Sequence, residues 1–261
     1  SLTTIPAGWY DTTERLLSGT SLRAILTNNF LFEYVAGGVS PDLVLDFAGD
    51  ELFAKAGAAS TQTDVVTLSR TGLATMTNSS GDLVWNPHNL FIWSNDPTTW
   101  QGSLATFTQN ATISPDGTMN GILAVSTAGR IQVTNSIILK DGETFTFGLW
   151  MKAGPTNPPA AINISMREGA GNFTFYAASS DQPITSEWTL YTCSGLKDFD
   201  GNATTLYVDF PIGTDLYCYG AHCYTSSLGG MAPNPDQPAG LETYVPTSGT
   251  QKFLPRRNHS V

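Results

Sequence analysis

Thr144-Phe145-Thr146-Phe147-Gly148-Leu149-Trp150-Met151-Lys152 decides how this chain folds. In an extended backbone Phe145, Phe147, Leu149 and Met151 fall on one side, and Thr146, Gly148, Trp150 and Lys152 on the other. A helix would scatter the same residues around its surface, so the spacing predicts a strand with one buried face. Trp150 lies opposite Phe147 and Leu149, with Thr and Lys for neighbours. That placement predicts an aromatic ring exposed on the outside of a sheet.

The alternation recurs on both sides of this stretch. Upstream, Leu43, Leu45 and Phe47 alternate with Val44 and Asp46, and Val65-Val66-Thr67-Leu68 reads as a further strand. Asn78-Ser79-Ser80-Gly81-Asp82 is a turn leading into Leu83-Val84-Trp85. Downstream, Ile162, Ile164 and Met166 alternate with Asn163 and Ser165, and Leu206, Val208 and Phe210 with Tyr207 and Asp209. Leu216-Tyr217-Cys218-Tyr219 is the last clear strand. Trp188 shares a face with Leu190 and is expected to fill space between sheets. Many short strands separated by Gly- and Pro-bearing turns, with no helical segment among them, predict an all-β antiparallel sandwich.

The composition narrows the function. The chain has 261 residues, 41% of them hydrophobic, enough for a substantial core. Charged residues are only 13%, and Thr, Ser, Asn and Gly take their place. A formal charge of −10 argues against nucleic acid, which calls for clustered Lys and Arg. No apolar run approaches the roughly 18 residues of a membrane helix, so no membrane insertion is expected. Residues 1–11 show neither a basic nor an apolar leader region, so no signal peptide is expected.

Residues 1–41 read differently from the rest of the chain. Asp11 and Glu14 have the spacing of a helix cap, Phe30, Phe32 and Tyr34 suggest a strand, and Gly37-Gly38-Val39-Ser40-Pro41 closes the segment. A piece this small cannot bury its own apolar residues and must pack on something else. The sequence therefore divides into a small mixed N-terminal segment over 1–41, a β-sandwich over 42–250 and a flexible tail over 251–261; the resemblance described below implies attachment and oligomerisation for the first.

Motifs of catalysis and cofactor binding are missing. There is no G-x-S-x-G, no H-E-x-x-H, no phosphate loop and no dinucleotide fingerprint. Asp198 with Asp200, and Asp209 with Asp215, are the nearest carboxylate pairs for glycoside chemistry. The first pair sits in a turn, and Asp209 alternates outward as a solvated residue. The expectation is no enzyme, no cofactor and no metal. The three cysteines, Cys193, Cys218 and Cys223, read as small buried hydrophobes. A bridge from Cys218 to Cys223 through a bulge at Gly220, or from Cys193 to either, is the alternative, and zinc would need a fourth ligand. Trp150, Trp93 and Tyr207 are the candidate glycan contacts.

The order of motifs resembles a jelly-roll domain, similar to carbohydrate-binding modules, that is widespread in tailed-phage virion and tail-fibre proteins. The matching residues are Leu45-Asp46-Phe47, then Leu68-Ser69-Arg70 leading to Ala74-Thr75, then Gly81, then His88-Asn89-Leu90 with Ser94, Asp96 and Trp100. Ala111-Thr112-Ile113-Ser114-Pro115-Asp116-Gly117-Thr118, the long stretch ending at Ala153, Glu187-Trp188 with Tyr191, Tyr219-Gly220-Ala221, and Tyr244-Val245-Pro246-Thr247 with Gly249 continue the series. Tyr219 and Cys223 stand where that family has Trp and Leu. A run the family often carries before Asn-Leu is missing between Trp85 and Asn89. The sandwich is expected to survive both departures, whereas a function tied to that run is not carried over.

The resemblance implies a jelly roll over about residues 42–250 in a virion structural protein: a short fibre, spike or decoration protein on head, neck or tail. Such a protein is made in the host cytoplasm and displayed on the virion surface. It implies other virion proteins as partners through residues 1–41, a homotrimer, and a host-surface glycan as a further partner. The second reading is a carbohydrate-binding module of a bacterial exported protein, and the third a glycan depolymerase.

Overall fold

The computed structural model describes residues 43–46, 51–54, 59–60, 72–100, 104–168, 175–198 and 203–254. The chain divides into two compact units, Ser1–Leu68 and Ser69–Val261. The attachment segment expected over 1–41 and the strand expected over 65–68 lie outside the described residues.

In the first unit β1 (Leu43–Asp46), β2 (Glu51–Ala54) and β3 (Ala59–Ser60) form a three-stranded antiparallel sheet in that order. Leu43 stands opposite Ala54, and Asp46 opposite Glu51. These residues, assigned by sequence to the start of the sandwich, pair among themselves. Alternation identifies a strand but not its partner.

The second unit is an antiparallel jelly-roll sandwich. One sheet has five strands in the order β13-β10-β15-β8-β7: β7 (Ala105–Thr112), β8 (Gly121–Ser126), β10 (Thr144–Ala153), β13 (Thr189–Leu196) and β15 (Asp215–Thr225). The other has four in the order β12-β11-β14-β9: β9 (Arg130–Ile138), β11 (Ala161–Glu168), β12 (Phe175–Pro183) and β14 (Ala203–Asp209). Along the chain the strands pass back and forth between the sheets.

The sheets meet through the faces that alternation marks as apolar. Phe145, Phe147, Leu149 and Met151 of β10 share one core with Ile131, Val133, Ile162, Ile164, Met166, Leu206 and Val208 of the opposite sheet. Each such side chain contributes about 1.5–3 kcal/mol on burial. Phe91 packs edge-on to Phe147 at 5.2 Å.

Shorter elements close the ends. β4 (Thr75–Thr77) and β5 (Leu83–Trp85) make a hairpin. In its turn, Asn78 Oδ1 accepts from the amides of Ser80 and Asp82 at 3.0 and 2.8 Å. β6 (His88–Asn89) pairs with β16 (Lys252–Phe253). Lys252 and Phe253 are thus a paired strand rather than flexible tail, because Phe253 stacks on the His88 ring at 6.1 Å.

The His88-Asn89 pair is a structural clamp. Asn89 Nδ2 donates to the carbonyls of Ala221 and Val245 at 3.2 and 2.8 Å. Its Oδ1 accepts from the amides of Phe91 and Cys223, each at 3.0 Å. His88 Nδ1 lies 2.5 Å from the Asn86 carbonyl and Nε2 accepts from the Thr225 amide at 3.0 Å. That fixes one tautomer of a neutral ring, and burial lowers its pKa to about 4.

β15 carries a bulge. Its register with β10 shifts so that Gly148 stands opposite His222 but Trp150 opposite Tyr219. Gly220 takes up the extra residue at φ 67°, a conformation that suits glycine. The bulge resets the alternation, so Cys218, Ala221 and Cys223 all enter the core. Cys193, Cys218 and Cys223 are buried free thiols. Burial pushes Cys193 up to about 12 and raises the other two as well. Cys193 and Cys223 both stand opposite Phe147, with β10 between them. Two strand spacings, about 9.6 Å, exceed the reach of a disulfide.

Candidate functional site

The outer face of the five-stranded sheet is divided into a covered half and an open half. The covered half carries a second apolar cluster of Trp150, Tyr219, Leu241 and Tyr244. The segment 232–250, which contains no strand, lies across it. Tyr244 packs edge-on to Trp150 at 5.6 Å, and its hydroxyl lies 2.9 Å from Ser94 Oγ. Asn234 Nδ2 donates to the Tyr244 carbonyl at 2.7 Å. Trp150 is consequently 3% exposed, not the outward platform the strand pattern suggested. Alternation placed it on the correct face without showing that another segment lies over it.

The turn at Ser114-Pro115-Asp116-Gly117-Thr118 holds Tyr219 of the covered half. Asp116 Oδ1 accepts from Ser114 Oγ at 2.6 Å, and from the Thr118 amide and hydroxyl at 2.9 and 2.7 Å. Oδ2 accepts from the Tyr219 hydroxyl at 2.7 Å. Burial raises the carboxyl's pKa, but these hydrogen bonds outweigh it and hold the group below the usual carboxylate range. Beneath the cover His222 lies 5.0 Å from Trp150 and stacks on Tyr224 at 5.8 Å. Its Nδ1 is 3.0 Å from the Gly220 carbonyl, and burial lowers its pKa to about 4.

The other candidate residues fall elsewhere. Tyr207 is on the outer face of the four-stranded sheet and only 5% exposed. The guanidinium groups of Arg167 and Arg130 lie over its ring at 4.5 and 5.4 Å, and Asp209 pairs with both. The cations that cover Tyr207 come from neighbouring strands and are invisible to its own alternation. Trp93 is 37% exposed and stands at φ 53° beside Gly249. The structure does not bring the three residues together. Of the candidate carboxylates, Asp200 lies outside the described residues, Asp209 is paired with the two arginines, and Asp215 accepts from the amides of Thr156 and Asn157 at 3.1 and 3.0 Å. Among the described residues no group of His, Cys, Asp or Glu is arranged to hold a metal ion.

The open half holds the arrangement that sequence reasoning missed. Lys152 of β10 stands opposite Tyr217 of β15, Tyr217 opposite Leu123 of β8, and Leu123 opposite Thr108 of β7. Trp188, just before β13, completes the row, with Lys152 Nζ 4.9 Å from its ring centroid. The same ammonium is 5.2 Å from the Tyr217 ring and donates to Thr112 Oγ1 at 3.3 Å. Trp188 Nε1 donates to the Ile113 carbonyl at 3.0 Å, which fixes the indole. Trp188, Lys152, Tyr217 and Leu123 are each partly exposed. Trp188 was expected between the sheets; it lies outside, against the edge of the second cluster. The signal that could have found the row was the alternation of Trp150 with Lys152 and of Tyr217 with Tyr219.

No family model matches the chain, and no curated protein matches it. Among solved structures it is similar to a carbohydrate-binding module, "CBM4 structure and function", with 17% identity and TM-score 0.35 over 48% of this chain and 84% of that one. It is similar to the N-terminal CBM22-1–CBM22-2 tandem domain of Paenibacillus barcinonensis Xyn10C, with 13% identity and TM-score 0.42 over 59% of this chain and 49% of that one. A third similar structure is the enzymatically active domain of bacteriophage CBA120 tailspike protein 4, with 13% identity and TM-score 0.40 over 52% of this chain and 21% of that one.

Proposed function

We propose that the chain is a non-enzymatic structural protein of a tailed-phage virion, a short fibre, spike or decoration protein, whose jelly roll binds a surface glycan. The observation that carries the glycan reading is the row Trp188, Lys152, Tyr217 and Leu123 across the open half of the five-stranded sheet. A sugar offers apolar C–H faces to aromatic rings and hydroxyls to polar neighbours, and this row supplies both kinds of contact. An aromatic row left partly exposed on an otherwise polar surface is what a binding site needs. The virion reading rests on the order of motifs along the sequence and on the polar composition, with only 13% of residues charged. Residues 1–41 would join the protein to other virion proteins and to two further copies of itself.

A glycan array with wild type and the double variant Trp188→Ala, Tyr217→Ala tests the site. Binding by wild type that the double variant loses is the expected result, and no binding by either removes the glycan reading. Peptides of this chain in gradient-purified phage particles test the virion reading. Their absence, with glycan binding intact, favours a module of an exported bacterial protein. Light scattering of the full chain is expected to give three copies of 27.9 kDa per particle, and a monomer speaks against a fibre.

A further inference from the structure

We infer that the open half of the five-stranded sheet selects an acidic saccharide, with Lys152 as the residue that reads its carboxylate. The inference rests on the glycan-binding reading of this surface and names the class of sugar.

Four other described cations of the sandwich pair with carboxylates, whereas Lys252 stands exposed at the end strand β16. Arg130 and Arg167 pair with Asp209, Lys140 with Glu143 and Lys197 with Asp141. Acidic residues outnumber basic ones, 22 to 12, so carboxylates are plentiful. Lys152, by contrast, has no carboxylate partner among the described residues. Its ammonium is held between two π faces, at 4.9 Å from Trp188 and 5.2 Å from Tyr217, and donates to the Thr112 hydroxyl at 3.3 Å. Aromatic rings and one hydroxyl orient the charge without neutralising it.

Two carboxylates near the row are engaged by other groups, and Glu187, beside Trp188, is exposed to solvent. Asp215, at the start of β15, is occupied by the amides of Thr156 and Asn157. Asp116 is likewise occupied by Ser114, Thr118 and Tyr219. The row therefore presents one oriented, uncompensated positive charge flanked by aromatic walls. An ammonium has three donor hydrogens, and one neutral acceptor leaves the others for a ligand. A carboxylate there gains a charge-assisted hydrogen bond, while the sugar body lies against Trp188 and Tyr217. A neutral sugar gains only the second of these.

Affinity electrophoresis tests this with polygalacturonate, alginate, hyaluronan and polysialic acid, each beside its carboxyl-reduced neutral counterpart, together with xylan and a β-glucan. Wild type is expected to be retarded by at least one acidic polymer and about tenfold less by its reduced counterpart, the size of one hydrogen bond to a charged group. Lys152→Gln should lose the same factor on the acidic polymer and nothing on the reduced one. Lys152→Arg should keep the preference, and unchanged retardation of Lys152→Gln by the reduced polymer shows that its loss is not misfolding. The preference should also shrink between roughly 50 and 500 mM salt. Retardation by neutral polymers that Lys152→Gln leaves unchanged and Trp188→Ala abolishes overturns the acidic inference and leaves the glycan reading in place. No retardation by any polymer overturns both.

Discussion

The two halves of the outer face begin from the same strands and end as different surfaces. On β10, Trp150 and Lys152 are neighbours on one face, and on β15 so are Tyr219 and Tyr217. Trp150 and Tyr219 lie in a second core, sealed by segment 232–250, with Tyr219 held by the Asp116 turn. Lys152 and Tyr217, one step further along, are left partly exposed. Strand register decides which face a side chain takes, and a distant segment of chain decides whether that face meets water. The covered half holds the fold, and the open half is where we propose that a ligand binds.

That contrast can be broken most directly by truncating one aromatic from each half. Tyr244→Ala removes the ring that seals Trp150, and is expected to cost about 3–5 kcal/mol in urea unfolding. Trp188→Ala, at the open half, is expected to cost about 1 kcal/mol, for one hydrogen bond and a partly buried ring, while abolishing binding. Equal losses at the two sites would dissolve the division.

Acid sharpens the comparison, because the covered half hides a histidine. His222, and His88 at the end of the sandwich, are lowered by burial from 6.5 to about 4. The unfolded chain therefore takes up protons first as pH falls. Stability is full above pH 6.5, declines toward pH 4, and has lost about 3 kcal/mol per histidine below that. Asp116 adds a further loss in the same direction at lower pH, since its carboxyl is held below the usual range. Denaturant midpoints measured from pH 7.5 to 4 check this, and a flat profile would show that the cover admits the charged ring. Replacing His222 with Gln should remove its share of the slope and leave that of His88.

Smaller effects are expected at the bulge and at the row. Gly220→Ala places a Cβ at positive φ, 3.2 Å from Trp150, and is expected to cost about 1–2 kcal/mol. Lys152→Gln, which loses only partly exposed cation–π contacts, is expected to cost about 0.5 kcal/mol by thermal unfolding.

Much of the sandwich was legible in the sequence, because a period of two is a local property. Phe145, Phe147, Leu149 and Met151 face the core as their spacing implied, and so do Ile162, Ile164 and Met166. Gly220 bends β15 where a bulge was considered, and that kink brings Cys218 and Cys223 to one face instead of two. The site was far less legible. Trp150 and Tyr207 alternate outward, yet one is covered by residues about ninety positions away and the other by arginines of two neighbouring strands. Trp188 shares a face with Leu190 as its spacing implied, but that face packs on the second cluster outside the sheet, while Tyr191 and Cys193 take the core side. Segment 232–250 carries no periodic pattern, so its role as a cover could be seen only once the chain had folded back on itself.

The three buried thiols give the molecule an internal stopwatch. Thiolate is the form that reacts with alkylating reagents, and burial denies it to Cys193, Cys218 and Cys223 in the closed sandwich. Labelling can proceed only during moments of opening. Cys218 sits opposite Met151, between Tyr217 of the open half and Tyr219 of the covered half, whereas Cys223 stands further along β15 opposite Phe147. The two positions time opening at two points along β15, of which Cys218 is the nearer to the open half. A ligand seated on the open half should slow the clock at Cys218 more than at Cys223, so occupancy could be read from mass alone, without a dye or a mutation.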